Sequence, residues 1–331
     1  MNLNNHPDLK AGLAAVRQAA AVCRSVQQSI STDALEKKDK SPVTVADFAS
    51  QALICRHLQQ VFPDDPVIGE EGADDLRADG GAAFLKRIHE ECSAASVSCT
   101  PKQVCEWIDR GGLMEYRSRF WTLDPIDGTK GFLRKDQYAI SLALIEDGKI
   151  TVGILGCPNI PVKDSEPAGQ RGVLAWAVAG HGSWMQPLDT PDGEPTPLQV
   201  TSTTDATEAR FCESVESGHS SHDWSRKIAE ELQIHREPFR IDSQCKYLAV
   251  ARGSADIYLR LPTRKGYKEK IWDHAGGVIL VTEAGGAVTD IHGNVPEFQH
   301  GSTLAINEGM VVTNGQFHEQ VVNAVGNHSP S

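Results

Sequence analysis

The stretch LDPIDGTKGF, Leu123 to Phe132, sets two carboxylates, Asp124 and Asp127, on either side of a proline. Proline locks its own φ and supplies no N–H, so the strand read in Arg119 to Leu123 must turn sharply there. Two like charges held on one tight turn repel. A divalent cation offsets that repulsion most simply, because Mg2+ prefers hard oxygen ligands and takes one or two carboxylates together with waters and phosphate oxygens. Gly128 and Thr129 then offer backbone amides and a hydroxyl at an expected helix start, where an anion is favoured. On its own the motif also fits a calcium-type loop or an Asx turn, so catalysis, ion binding and plain turn chemistry all stay open at this point.

Two further acidic segments bear on the choice. GEEG, residues 69 to 72, puts Glu70 at the end of a short apolar strand, the usual ligand position in α/β folds. IWDHAGG, residues 271 to 277, puts Asp273 at an expected helix start, as Asp47 is, and for both an N-cap carboxylate is the plain alternative.

A chain of 331 residues suits two domains or one two-lobed unit. Its 44 acidic residues against 32 basic ones give a formal charge of −12, which argues against binding a nucleic acid polymer. A small anionic ligand therefore needs metal ions or a few placed Lys and Arg. The eight cysteines form no CxxC pair and read as reduced thiols, which points to a cytoplasmic protein. Cys92, Cys99 and Cys105 leave a regulatory disulfide as the alternative. No apolar run approaches the length of a membrane span. The N-terminus lacks a secretory pattern, and Leu9, Leu13, Val16, Ala20 and Cys23 recur as an amphipathic helix; an organellar presequence is the rival reading.

Along the chain, Val43 and Val45 alternate as in a short hairpin ending at Asp47, and a helix follows that stops at Pro63. Residues 74 to 119 are mixed and polar and read as an inserted excursion or lid. Strands return from Arg119, with a hairpin at Glu146-Asp147-Gly148 and a second strand pair turning at Gly180 and Gly182. The Pro- and Thr-rich segment 186 to 199 divides the chain into lobes of 1–195 and 196–331. The second lobe alternates helix and strand, with a long helix after Asp273 leading into a final strand.

The ordered set GEE, DPIDGT and WDHAG, with Asp47, resembles the inositol monophosphatase superfamily of lithium-sensitive, magnesium-dependent phosphomonoesterases. That resemblance implies an α+β fold, a layered α/β/α/β/α sandwich of two lobes, with the active site between them. It implies that Glu70, Asp124 and the carbonyl of Ile126 hold one Mg2+ and that Asp124, Asp127 and Asp273 hold a second. Asp47 then helps bind a third ion or orients the attacking water, to which Thr129 is hydrogen-bonded. Li+ is the implied inhibitory ion, with Na+ as a further candidate, and the implied state is a monomer.

The segments VESGHSSHD, DSQCKYLAVARGSADIYLRLP and YKEKIWDHAGG look like the branch that hydrolyses adenosine 3′,5′-bisphosphate to AMP. A bisphosphorylated nucleotide carries a second phosphate out of reach of metals at the scissile one, so cationic side chains must meet it. Lys246 and Arg260 are the candidates, with Ser243 and Tyr267 as hydrogen-bonding neighbours, His219 near the ribose or adenine, and Gly128 and Thr129 at the scissile phosphate. Arg260 has a surface salt bridge at a strand end as its alternative. The His219 and His222 spacing would allow a metal, but with serines between and no further soft ligand a polar substrate loop fits better. His274 is expected to pack against or orient its neighbour. An inositol polyphosphate 1-phosphatase and a catalytically silent nucleotide-binding protein are the competing functions.

Overall fold

The computed structural model describes residues 6–29, 44–78, 80–215, 222–264 and 266–329. Helix α1 (Pro7–Ser29) buries a stripe of small and apolar residues that includes Leu9, Val16, Ala20 and Cys23, as its periodicity predicts. Helix α2 (Val45–Val61) starts where Thr44 caps it: the Thr44 hydroxyl accepts from the Ala46 N–H, and Asp47 accepts from the Thr44 N–H at 2.8 Å. This reciprocal cap overrides the Val43/Val45 alternation, so Val45 opens a helix and ends no hairpin. Residues 30–43 lie outside the described residues.

Strand β1 (Val67–Gly69) is followed by α3 (Asp74–Arg77), α4 (Ala82–Ala94) and α5 (Pro101–Asp109). The excursion is thus packed helix and no lid: Ile88, Cys92, Val104 and Ile108 sit at 0% exposure in the core shared with α1 and α2. Truncating one such buried aliphatic side chain to Ala costs about 2–5 kcal/mol, too much for a segment that must lift away. The mixed composition misled because the apolar residues that pack inward are few among many polar ones.

Strand β2 (Arg119–Asp127) leads through the short helix α6 (Thr129–Leu133) to β3 (Ala139–Glu146), β4 (Lys149–Pro161), β5 (Arg171–Val178), β6 (Ser183–Pro187) and β7 (Thr196–Pro197). These strands lie side by side in chain order as one sheet, β1 parallel to β2 and the rest antiparallel. Asp147 and Gly148 both take positive φ at the β3–β4 turn, the tight hairpin expected there. The chain continues through β8 (Phe211–Glu213), α7 (His222–Glu231), β9 (Phe239–Arg240), α8 (Cys245–Ala251), β10 (Ile257–Arg260), α9 (Ala275–Glu283), β11 (Ala287–Thr289), β12 (Met310–Thr313) and α10 (His318–Asn327). Its second sheet runs β11-β12-β10-β8-β9. The strand after α9 is therefore not the last; β12 and α10 close the chain.

The layers follow from which faces are apolar. α1 and α2 cover one face of the first sheet, and α8 and α9 fill the space between its other face and the second sheet. α7 and α10 cover the far face of the second sheet with Trp224, Ile228, Phe317 and Val321. This is the α/β/α/β/α sandwich of the sequence reading. All eight cysteines are free thiols, and burial raises the pKa of Cys92, Cys99 and Cys105, so they are not poised for attack. Among the described residues no helix is long and apolar enough to cross a membrane.

Close approach in the middle layer depends on glycine. A Cβ built on Gly277 of α9 would lie 2.2 Å from the Tyr247 ring of α8, whereas one on Gly326 of α10 would meet nothing within 4 Å. Gly277→Ala should therefore destabilise the protein by about 1–3 kcal/mol in urea denaturation. Gly326→Ala should stabilise it by up to about 1 kcal/mol in the same assay, through the helix preference for Ala.

Candidate active site

In a regular strand, residues three apart point to opposite faces. Between Asp124 and Asp127 the register of β2 on β3 slips: Asp124 pairs with Ser141 and Asp127 with Ala139, three residues against two. This one-residue bulge turns both carboxylates to the same side. Local hydrogen bonds fix it. Ser50 Oγ donates to the Pro125 carbonyl at 2.9 Å, the Ile126 N–H donates to Asp124 Oδ1 at 3.1 Å, and the Gln244 N–H donates to Asp127 Oδ2. Gln244 is itself held, its side-chain amide donating to the Trp272 carbonyl at 2.9 Å and accepting from Ser141 Oγ at 3.0 Å.

Gly128 then has φ 88°, and a Cβ there would sit 2.8 Å from Cβ of Ser243, so both the turn and the contact require glycine. Ser243 is itself in the left-handed region at φ 65°, two residues before α8. Thr129 opens α6 without capping it; its hydroxyl lies 3.4 Å from Asp47 Oδ1 and 3.3 Å from the Ile126 carbonyl. The other Asp47 oxygen accepts from the Thr44 hydroxyl at 2.6 Å. Glu70 directly follows β1, and the loop after it is pinned by Gln51, whose amide accepts from the Glu71 N–H and donates to the carbonyls of Glu71 and Ile108. Asp273 stands in a single 3-10 turn before α9, whose N-terminus has no side-chain cap, so the capping role does not hold for it.

The electrostatics show the strain of this gathering. Burial, then the charges of Glu70, Asp127 and Asp273, hold the Asp124 carboxyl well above the usual range. Burial first and carboxylate neighbours second also raise Glu70 and Asp273. Glu70 keeps solvent-accessible surface although protein crowds it from most sides. Burial pushes Asp47 up to about 6 against the pull of its Thr44 and Thr129 hydrogen bonds, and Glu71 up to about 8. The donor set is carboxylate and carbonyl oxygen, with no thiolate or imidazole, which fits a hard divalent cation.

Among the described residues, the trio whose ligand atoms lie within 4.8 Å of one another is Glu269, Asp273 and His274. Each Glu269 oxygen already has a partner there, Arg260 at 3.1 Å and His274 at 3.2 Å, so this trio reads as a charge network in which His274 orients its neighbours. Burial alone would raise Glu269, but the His274 hydrogen bond and the Arg260 charge win and pull it to about 2.

A cleft of about 180 Å3 opens beside Asp127 and Asp273. It brings together the expected Gly128, Ser243, Lys246 and Arg260, and adds Lys130, Tyr258 and Gln244, which the sequence reading missed. Tyr258 was findable, since two residues before Arg260 on β10 puts it on the same face; the Gln244 contact pairs residues 117 apart and left no local signal. Lys246 is buried and lies over the Tyr258 ring at 5.2 Å, and burial lowers its pKa. Arg260 makes its salt bridge with buried Glu269 at the cleft wall and not at the surface. Tyr267 is exposed and reaches the cleft through a hydrogen bond with Arg260. His219 lies outside the described residues.

A carboxylate cluster at a bulged strand end, faced by buried Lys246 and by Arg260, within this five-layer sandwich defines the class. The inositol monophosphatase family model matches residues 4–329, and the chain belongs to that family. A protein of Schizosaccharomyces pombe named 3′(2′),5′-bisphosphate nucleotidase is 41% identical over 94% of this chain and 93% of its own length. A protein of the same name from Oryza sativa is 41% identical over 96% and 93%. Solved inositol monophosphatases share the fold: that of Thermotoga maritima has a TM-score of 0.64 at 21% identity, covering 97% of this chain and 98% of its own. That of Anabaena has 0.62 at 20%, covering 100% and 98%.

Carboxylates with raised folded-state pKa bind more protons in the native than in the unfolded chain between the ordinary value near 4 and about 8. In metal-free protein their ionisation opposes folding, so melting temperature should fall as pH rises through that window. Asp124→Asn should flatten the slope. A metal-free melting temperature that rises from pH 5 to pH 8 would contradict the clustering.

Proposed function

We propose that this chain is a 3′(2′),5′-bisphosphate nucleotidase, hydrolysing adenosine 3′,5′-bisphosphate to AMP and phosphate, and PAPS to APS as a second reaction. One observation carries the reading: Asp127 and Asp273 share a single cleft with Lys246 and Arg260. An acidic cluster alone would serve any phosphomonoester; the opposed cations call for a second anionic group on the substrate. The relatives at about 40% identity over nearly the whole chain bear the matching name.

Glu70, Asp124 and the Ile126 carbonyl would hold one Mg2+, and Asp124, Asp127 and Asp273 a second, with Asp47 beside a third. When bound, the ions supply positive charge to the scissile phosphoryl group and lower the pKa of water. The chain's own residues do the rest. The Thr129 hydroxyl, directed at Asp47, orients the attacking water, and Asp47, raised to about 6, receives its proton near neutral pH. Water oxygen attacks phosphorus in line, the P–O bond to the 3′ oxygen breaks, and that oxygen leaves to take up a proton. Gly128 and Thr129 amides flank the scissile phosphate. Lys246 and Arg260 hold the 5′-phosphate, with Ser243, Tyr267 and His219 around the nucleoside.

The cleft is lined by residues within 127–131 from the first of the proposed lobes, 1–195, and by residues within 242–274 from the second, 196–331, of one monomer, and the acidic chain with free thiols suits the cytoplasm. Li+, and more weakly Na+, inhibits by competing for the carboxylate site.

Phosphate release from adenosine 3′,5′-bisphosphate should vanish in EDTA and fall in submillimolar Li+; faster release from inositol 1,4-bisphosphate would overturn the assignment. Thr129→Val should lower kcat about 100-fold or more while the Mg2+ activation curve stays in place. Lys246→Ala should raise KM for the bisphosphate at least about tenfold, read from initial rates.

A further inference from the structure

A chain of side chains joins the cleft wall to the middle helical layer. Arg260 Nε donates to Glu269 Oε1 at 3.1 Å, His274 Nε2 lies 3.2 Å from Glu269 Oε2, and His274 Nδ1 lies 2.7 Å from the Tyr247 hydroxyl. Tyr247, Glu269 and His274 are 0%, 4% and 2% exposed, while Arg260 lines the cleft. The Glu269 carboxylate calls for an N–H on His274 Nε2, and His274 Nδ1 pairs with the Tyr247 hydroxyl. Both Glu269 oxygens, both ring nitrogens and the phenol are thereby partnered. The room for Tyr247 comes from Gly277.

A guanidinium recognises a phosphate by presenting parallel N–H groups, so its plane matters as much as its charge. A long side chain left to itself loses rotamer freedom on binding, and one clamped beforehand does not. We propose that Glu269, anchored through His274 and Tyr247, is a positioning residue that fixes the plane of the Arg260 guanidinium for the second phosphate of the substrate. The inference rests on the bisphosphate reading above. Glu269 is outside the proposed ligand set and acts through Arg260. Because His274 follows Asp273, the same network ties the recognising cation to the carboxylate side of the cleft.

The test compares Glu269→Gln with native protein on adenosine 3′,5′-bisphosphate and on 3′-AMP, which lacks the second phosphate. The ratio of kcat/KM for the bisphosphate over that for 3′-AMP should fall at least about tenfold, through KM. A purely structural ion pair predicts a lower melting temperature with the ratio unchanged, and that result overturns the proposal alone. Native protein that turns over neither nucleotide overturns the function reading and this proposal with it. If Glu269→Gln fails to fold, Tyr247→Phe, which removes one oxygen, should lower the ratio in the same direction; an unchanged ratio there overturns the proposal.

Discussion

The site depends on one extra residue. The bulge at Pro125 and Ile126 puts Asp124 and Asp127 on the same side of the sheet, against both strand geometry and charge repulsion. Without it, one carboxylate would point into the opposite layer. The chain stabilises the arrangement locally, by bonds from Ser50, Ile126 and Gln244 to the bulge and its two aspartates. What these bonds leave unbalanced is the negative charge, which adds to burial in raising the carboxyl pKa of Glu70, Asp124 and Asp273.

Much of the surrounding architecture positions groups on that bulge. α2 contributes Asp47, Ser50 and Gln51 within two turns, each directed at a different part of the site: the Thr129 hydroxyl, the Pro125 carbonyl and the loop after Glu70. α8 and α9 lie between the sheets, so the same layer that fills the core also carries Gln244, Lys246 and the turn holding Asp273 to the cleft. Burial and function are thus served by the same short helices, and both require close packing. Gly128 against Ser243 and Gly277 against Tyr247 are the places where no side chain fits.

The carboxylates were legible in the sequence because each sits in a short local pattern: strand end, proline turn, glycine. Lys246 and Arg260 were legible through the segments around them. The excursion at 74–119 was misread, since its polar surface residues outnumber the inward Ile88, Val104 and Ile108, and composition weighs both alike. Val45 was misread because alternation over three residues resembles a strand until the Thr44 and Asp47 cap is seen. Gln244 and Glu269 escaped notice for different reasons. The first acts by a backbone N–H, which every residue but proline has; the second acts on a partner from another element, Arg260, and resembles any surface acid.

In the proposed site Asp124 is shared between ions whereas Asp273 serves one. Counting Mn2+ bound per chain by electron paramagnetic resonance, in the presence of AMP and phosphate, tests it most directly. Native protein should bind about two or more ions, Asp273→Asn about one, and Asp124→Asn fewer than one at the same free metal. An Asp124→Asn protein that keeps as many ions as Asp273→Asn would contradict the shared-carboxylate account.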